Sequence, residues 1–282
     1  MPEKVALITG ASSGFGLLTS IELAKVGFRV VASMRDLGRR DKLDQTVAAA
    51  GVGSKIDVRA LDVTRFDSIP IFVDSVVRDY RRIDVLVNNA GFAVAGFAED
   101  IKLDELRLQF ETNFFGAVAM TKAALPVMRQ QRSGHIIQIS SIAGQHGSVT
   151  LSSYSASKHA LEGWSESLRM ELNPLGIKVV LIEPGAFATD IWTRGARMGQ
   201  DAIVPSSPNF ERSLRARIAV EKIPKADPIA VARVIVEVAR DPNPKLRYLV
   251  GRDAKIQLAM KRLLPWKMWE KMIANFLKID QG

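Results

Sequence analysis

Short runs of apolar residues alternate along the chain with longer segments in which apolar positions recur every three to four residues. The runs at 4–8, 28–33, 56–61, 83–87, 135–139, 178–182 and 247–250 are rich in Val, Ile and Leu and predict strands. Several are apolar almost without interruption, as parallel strands covered by helices on both faces must be. The segments at 15–26, 66–80, 104–130, 154–172 and 228–240 predict helices. This alternation predicts a single α/β domain: a Rossmann-type, doubly wound parallel sheet of about seven strands with right-handed crossovers.

Two segments break the alternation. Residues 186–226 carry Gly195, Gly199, Pro205, Pro208 and Pro224 without a sustained strand pattern, which suggests a lid insertion over a substrate site. Residues 252–282 form a basic amphipathic extension after a catalytic domain spanning 1–251. Apolar groups from Ile256 to Leu277 recur there at roughly helical spacing, interrupted by Pro265, with Trp266 and Trp269 among lysines. That pattern serves a helix closing over a pocket, a helix packing on a partner subunit, or peripheral contact with a membrane surface.

Composition narrows the picture. The 282 residues are 47% hydrophobic and 24% charged, enough for one sizeable core without disulfide or metal staples. The absence of cysteine excludes disulfides, thiolate nucleophiles and cysteine-ligated zinc. His135, His146 and His159 lack metal-site spacing, so no metal is expected. The extension holds seven Lys/Arg against three Asp/Glu, and the rest of the net +9 lacks aromatic interleaving, so nucleic acid is not an expected partner. The N-terminus enters a strand at once, without a secretory pattern, and no apolar run reaches the length of a membrane span. A cytoplasmic protein is expected, with membrane contact at most peripheral.

The first strand runs into Thr9-Gly10-Ala11-Ser12-Ser13-Gly14-Phe15-Gly16 and then into a helix. Glycines at 10, 14 and 16 permit positive φ and close approach of backbone amides to a pyrophosphate, and the helix N-terminus presents unpaired N–H groups to that anion. Farther on, Tyr154 and Lys158 stand four apart on one helical face. A free tyrosine is a poor base at neutral pH, and a neighbouring ammonium stabilises its phenolate.

The stretch TGASSGFG resembles the TGxxxGxG fingerprint of the short-chain dehydrogenase/reductase superfamily, and further motifs follow in that superfamily's order over residues 4–251. Asn88-Asn89-Ala90-Gly91 matches its NNAG, Ser141 and Tyr154-x-x-x-Lys158 match its catalytic set, and Pro184-Gly185 with Thr189 matches its PGxxxT. The resemblance implies a nicotinamide cofactor held by Gly10, Ser12, Ser13, Gly14, Phe15, Gly16, Asp62, Val63, Asn89, Ala90, Gly91, Pro184, Gly185 and Thr189. It implies Tyr154 as general acid and base, Lys158 as the group that tunes it and binds the nicotinamide ribose, and Ser141 as donor to the substrate oxygen. Asn113 matches the asparagine that organises a relay water.

Cofactor preference turns on the end of the second strand, Val31-Ala32-Ser33-Met34-Arg35-Asp36. A carboxylate there would accept from ribose hydroxyls, whereas a cation would pair with a 2′-phosphate. By the resemblance the acidic position falls on Met34 and Arg35 takes the place that favours NADP(H). NAD(H) stays open, because a strand ending one or two residues later would put Asp36 at the ribose.

Within the superfamily, residues 32–37, 155–163 and 242–248 look most like the 17β-hydroxysteroid and retinol dehydrogenase groups. Phe92, Val94, Phe97, His146, Val149, Phe187 and Trp192 are candidate substrate contacts, and they suggest a lipophilic carbonyl or alcohol. An acyl-thioester ketoreductase and a non-catalytic NADPH-binding regulator are the alternatives. The resemblance also implies a homodimer or homotetramer built on the helices at 104–130 and 154–172.

Overall fold

The computed structural model describes residues 3–189, 196–199 and 204–278. Seven strands form one parallel sheet: β1 (Val5–Thr9), β2 (Arg29–Met34), β3 (Ile56–Ala60), β4 (Val85–Asn88), β6 (Gly134–Ile139), β7 (Ile177–Pro184) and β9 (Arg247–Val250). They lie side by side in the order β3-β2-β1-β4-β6-β7-β9. All five residues of β1 and nearly all of β7 are buried, which is why these strands read as continuous apolar runs. The predicted strands lie at the observed positions to within two residues.

Helices cover both faces. On one, α1 (Gly14–Lys25) and α8 (Ile229–Arg240) pack together over Ile8, Val30, Val87 and Ile182. On the other, α3 (Ser68–Tyr80), α5 (Gly116–Gln131) and α6 (Ser152–Leu172) cover Leu7, Leu86, Ile136 and Val179. Chain direction across the sheet reverses between β1 and β4, so the loops after these strands diverge and leave a crevice at their carboxyl ends.

Other elements were not predicted or were predicted only in coarser form. Helix α2 (Asp41–Ala50) is short and lays only Leu43, Val47 and Ala50 against the core, Leu43 alone being fully buried. The predicted helix 104–130 is α4 (Leu103–Phe110) joined to α5 through a π-helical turn, Glu111–Phe115. The 186–226 segment contains β8 (Ala196–Met198), which pairs in parallel with β5 (Ala93–Ala95), and a three-turn helix, α7 (Phe210–Glu221). The extension folds as α9 (Arg252–Leu263) and α10 (Trp266–Leu277), separated at Pro265, and α10 packs back against α7. No helix among the described residues is long and apolar enough to cross a membrane.

Candidate active site

The glycine turn between β1 and α1 is shaped by backbone geometry. Gly10 and Gly14 hold φ of 70° and 56°, in the left-handed region that side chains avoid. Gly16 has no room for a side chain, since a Cβ there would overlap the Gly10 carbonyl oxygen and the Asn89 amide. Ser13 precedes α1 without capping it, which leaves the first N–H groups of the helix without a side-chain acceptor. Asn89 buttresses this turn: its Nδ2 donates to the carbonyls of Thr9 and Gly10, at 2.8 and 3.0 Å. Thr9 Oγ1 in return accepts from the backbone of Asn89 and Ala90, both at 3.0 Å. Thr9, absent from the expected contacts, is thus the clasp between the two motifs. Thr189 closes the far side, in reach of Gly14, at a small hollow shared with Lys42 and Asp227.

The end of β2 separates the two readings of cofactor preference. Met34 is buried in the core and cannot present a group to a ribose. Arg35 is the first exposed residue beyond the strand, and among the described residues it makes no ion pair. Asp36 is committed locally: its Oδ1 accepts from Gly38 N at 2.9 Å, and it faces Arg39 at 3.6 Å. Asp62, after β3, accepts from the backbone and hydroxyl of Thr64, while Val63 packs beneath Gly116. An amide-lined turn, an open helix N-terminus and an unengaged cation together fit a phosphorylated dinucleotide.

Across the crevice, the strand end of β6 and the first turns of α6 bring three side chains together. The Ser141 hydroxyl accepts from Ala143 N at 3.1 Å and hydrogen-bonds the Tyr154 phenol. Lys158 is buried, donates from Nζ to the Ile139 carbonyl at 2.8 Å, and stands 5.6 Å from the centre of the Tyr154 ring. Burial pushes the Tyr154 phenol up to about 12, opposed by the Ser141 hydrogen bond, so the group is a proton donor at neutral pH. Burial also brings Lys158 down to about 8, opposed by the Glu162 carboxylate. Asn113 sits in the π-helical turn with its side chain occupied: Oδ1 accepts from Phe92 N, and Nδ2 donates to Phe92 O and Ser157 Oγ. It therefore fixes the loop after β4 against α6, in a kind of turn that often marks functional sites.

A cavity of about 750 Å³ opens from Ser141 and Tyr154. Its floor holds His146, Val149, Gly185 and Phe187; its roof is made by Val220 and Ile223 at the end of α7 and by Trp269, Ile273 and Phe276 of α10. Burial lowers the His146 pKa, its Nδ1 donates to the Gly147 carbonyl, and its ring meets Trp269 edge to face at 5.3 Å. Phe92, Val94 and Phe97 lie outside this cavity. Phe92 serves Asn113 through its backbone, Val94 is buried in β5, and Phe97 lies under the Arg212 guanidinium. Trp192 falls outside the described residues.

Residues 4–198 match the short chain dehydrogenase family. The chain belongs to it. The oxidoreductase YusZ of Bacillus subtilis is 42% identical over 98% of this chain and 99% of its own. The 3-ketodihydrosphingosine reductase of Bacteroides thetaiotaomicron is 36% identical over 99% of this chain and 100% of its own. Among solved structures, a short-chain dehydrogenase of Streptomyces avermitilis is similar at a TM-score of 0.81 and 35% identity, covering 99% of this chain and 98% of that one. A metagenomic short-chain oxidoreductase in complex with NADP is similar at 0.70 and 27%, covering 88% and 96%.

Two features of this short chain dehydrogenase escaped the sequence reading. Behind Ser140 and Lys158, Glu162 of α6 and Glu183 of β7 are buried together. Arg247 of β9 pairs with both at 3.0 Å, and Gln145 Nε2 donates to both. Burial raises both carboxyl pKa values, and the charge of Glu162 raises Glu183 further. The second is Asp253, at the start of α9. Its carboxylate accepts from Ala186 N at 2.7 Å and fills the space where Gly185 lacks a side chain. Both lie too far from their partners in sequence for local spacing to reveal them.

Proposed function

We propose that this short chain dehydrogenase is an NADP(H)-preferring enzyme that interconverts a carbonyl and an alcohol on a lipophilic substrate, steroid-, retinoid- or ketone-like in character. The observation that carries the reading is the Tyr154 phenol, hydrogen-bonded to Ser141 at the base of a large, mainly apolar cavity. Ser141 would orient the substrate oxygen, and Tyr154 would deliver the proton to the alkoxide that develops in reduction. Lys158, charged below about pH 8, would stabilise the phenolate left behind. Gly10, Gly14, Gly16 and the start of α1 would hold the pyrophosphate, Arg35 the 2′-phosphate, and Asp62, Asn89 and Thr189 the remainder. NADPH, when bound, supplies the hydride. NADP in a similar solved structure supports the preference; sphingoid-ketone reduction by a full-length relative supports the lipophilic class.

A homodimer or homotetramer is proposed on α4, α5 and α6, where Leu103 and Leu108 of α4, Phe115 of the π-helical turn and Met170 of α6 stand exposed. A cytoplasmic enzyme working at a lipid surface is the corresponding location. The test is oxidation of NADPH and, separately, NADH by the purified protein against a panel of lipophilic ketones. Tyr154→Phe should abolish turnover while NADPH binding persists; undiminished turnover by that variant would refute the mechanism.

A further inference from the structure

The net charge is concentrated on the cavity roof. Segments 204–226 and 252–278 hold twelve Lys/Arg against four Asp/Glu, whereas the rest of the chain holds 27 against 26. Nearly all of the +9 therefore sits on α7, α9, α10 and the turns beside them.

The same helices leave large apolar side chains in solvent. Leu214 and Ile218 project from α7, Leu263 from the end of α9, and Trp266, Met268 and Phe276 from α10. Leu263 is 81% exposed and Trp266 61%. Lys261 Nζ lies 3.9 Å from the centre of the Trp266 ring, so a cation and an indole are presented together. Val220 and Phe276 are each both exposed and part of the cavity wall. Val220 and Phe276 thus place exposed apolar surface at the cavity mouth itself.

Two occupants are conceivable for such a surface, and charge separates them. A second copy docking here through a two-fold interface would set this basic patch against itself, at an electrostatic cost. An anionic bilayer offers the complement on both counts: headgroup phosphates for the lysines and an acyl boundary for Trp, Met, Leu and Phe. The exposed apolar residues of α4, the π-helical turn and α6 lie on other elements, so a subunit interface there leaves the roof free.

We propose that α7 with α9 and α10 docks the enzyme on an anionic lipid surface, the cavity mouth between Val220 and Phe276 facing the bilayer. Its purpose rests on the lipophilic-substrate reading: a substrate dissolved in the membrane enters the cavity without crossing water.

The test is flotation of the full chain with vesicles of phosphatidylcholine alone or mixed with phosphatidylglycerol, with no substrate present. Wild type should float with the anionic vesicles, and high salt should lower the bound fraction. Leu263→Glu combined with Trp266→Glu should lower the partition coefficient by about tenfold or more, and so should Lys267→Glu combined with Lys271→Glu. Neither pair lines the cavity, so turnover of a small water-soluble ketone should be unchanged in both. No flotation of wild type, equal flotation of the variants, or a wild-type oligomer that these substitutions dissociate would overturn the proposal. Flotation without reduction of any lipophilic ketone would sink the substrate reading and leave docking standing; reduction without flotation would do the reverse.

Discussion

Lys158 offers a measurement that separates catalytic need from structural comfort. Its ammonium is buried within α6 and meets one hydrogen-bond acceptor, the Ile139 carbonyl, with Glu162 as the nearby opposite charge. Burial brings it from 10.5 to about 8. At about 1.4 kcal/mol for each tenfold change, holding the charge in the folded state below pH 8 costs about 3 kcal/mol. Lys158→Met fills nearly the same volume without a charge and forfeits the hydrogen bond, a loss of about 1 kcal/mol. The variant should therefore be more stable than wild type at pH 7 by about 2 kcal/mol, or about 4 °C in Tm for a chain of this size.

The pH dependence supplies the signature. Between pH 8 and 10.5 the native Lys158 is already neutral while the unfolded one still binds its proton, so wild-type stability gains with rising pH. The methionine variant lacks that gain, and its advantage should shrink steadily across this window. Urea denaturation of both proteins at a series of pH values reads the difference directly. A variant less stable at pH 7, or a difference independent of pH, would refute the argument. Carbonyl reduction should be almost lost in the same variant and, in wild type, should decline above about pH 8.

Three further outcomes are expected. Arg35→Ala should weaken NADPH binding by about tenfold or more and leave NADH nearly unaffected; titration by fluorescence checks it, and equal losses would point back to Asp36. Gly16→Ala places a methyl group on the Gly10 carbonyl and the Asn89 amide, so dinucleotide affinity should fall by about tenfold or more, as calorimetry would show. Glu183→Gln removes a carboxyl whose pKa is raised in the folded state. Such a group costs stability as pH rises from 4.5 through that raised value, so the variant should gain on wild type toward neutral and alkaline pH in thermal melts.

The strands were legible because their burial is nearly complete on both faces, and an apolar run such as Val5–Thr9 has no polar side to turn toward water. The glycine turn and the Tyr154–Lys158 pair were legible because each packs its geometry into a few consecutive residues. Helix α2 was not: it is ten residues long, and Leu43, Val47 and Ala50 are all it lays against the core. The cavity roof was hidden for a different reason: α7 meets α10 across some fifty residues of sequence, and only their joint placement over Tyr154 gives either a role. The Glu162–Glu183–Arg247 cluster draws one residue from each of α6, β7 and β9, so it exists only after the sheet is assembled.

The π-helical turn at Glu111–Phe115 makes the length of this segment more constrained than its spelling. Such a turn amounts to one residue added to an α-helix, and each residue of an α-helix advances the direction of its side chains by about 100°. Deleting a single residue between Phe110 and Gly116 would let α4 run straight into α5. It would also swing Gln109, which reaches the Phe92 carbonyl, away from its seat while Met120, Ala124 and Met128 stayed on the sheet. A side chain can be exchanged there without changing that direction, whereas a segment shortened by one residue would take from Phe92 the amides that hold it.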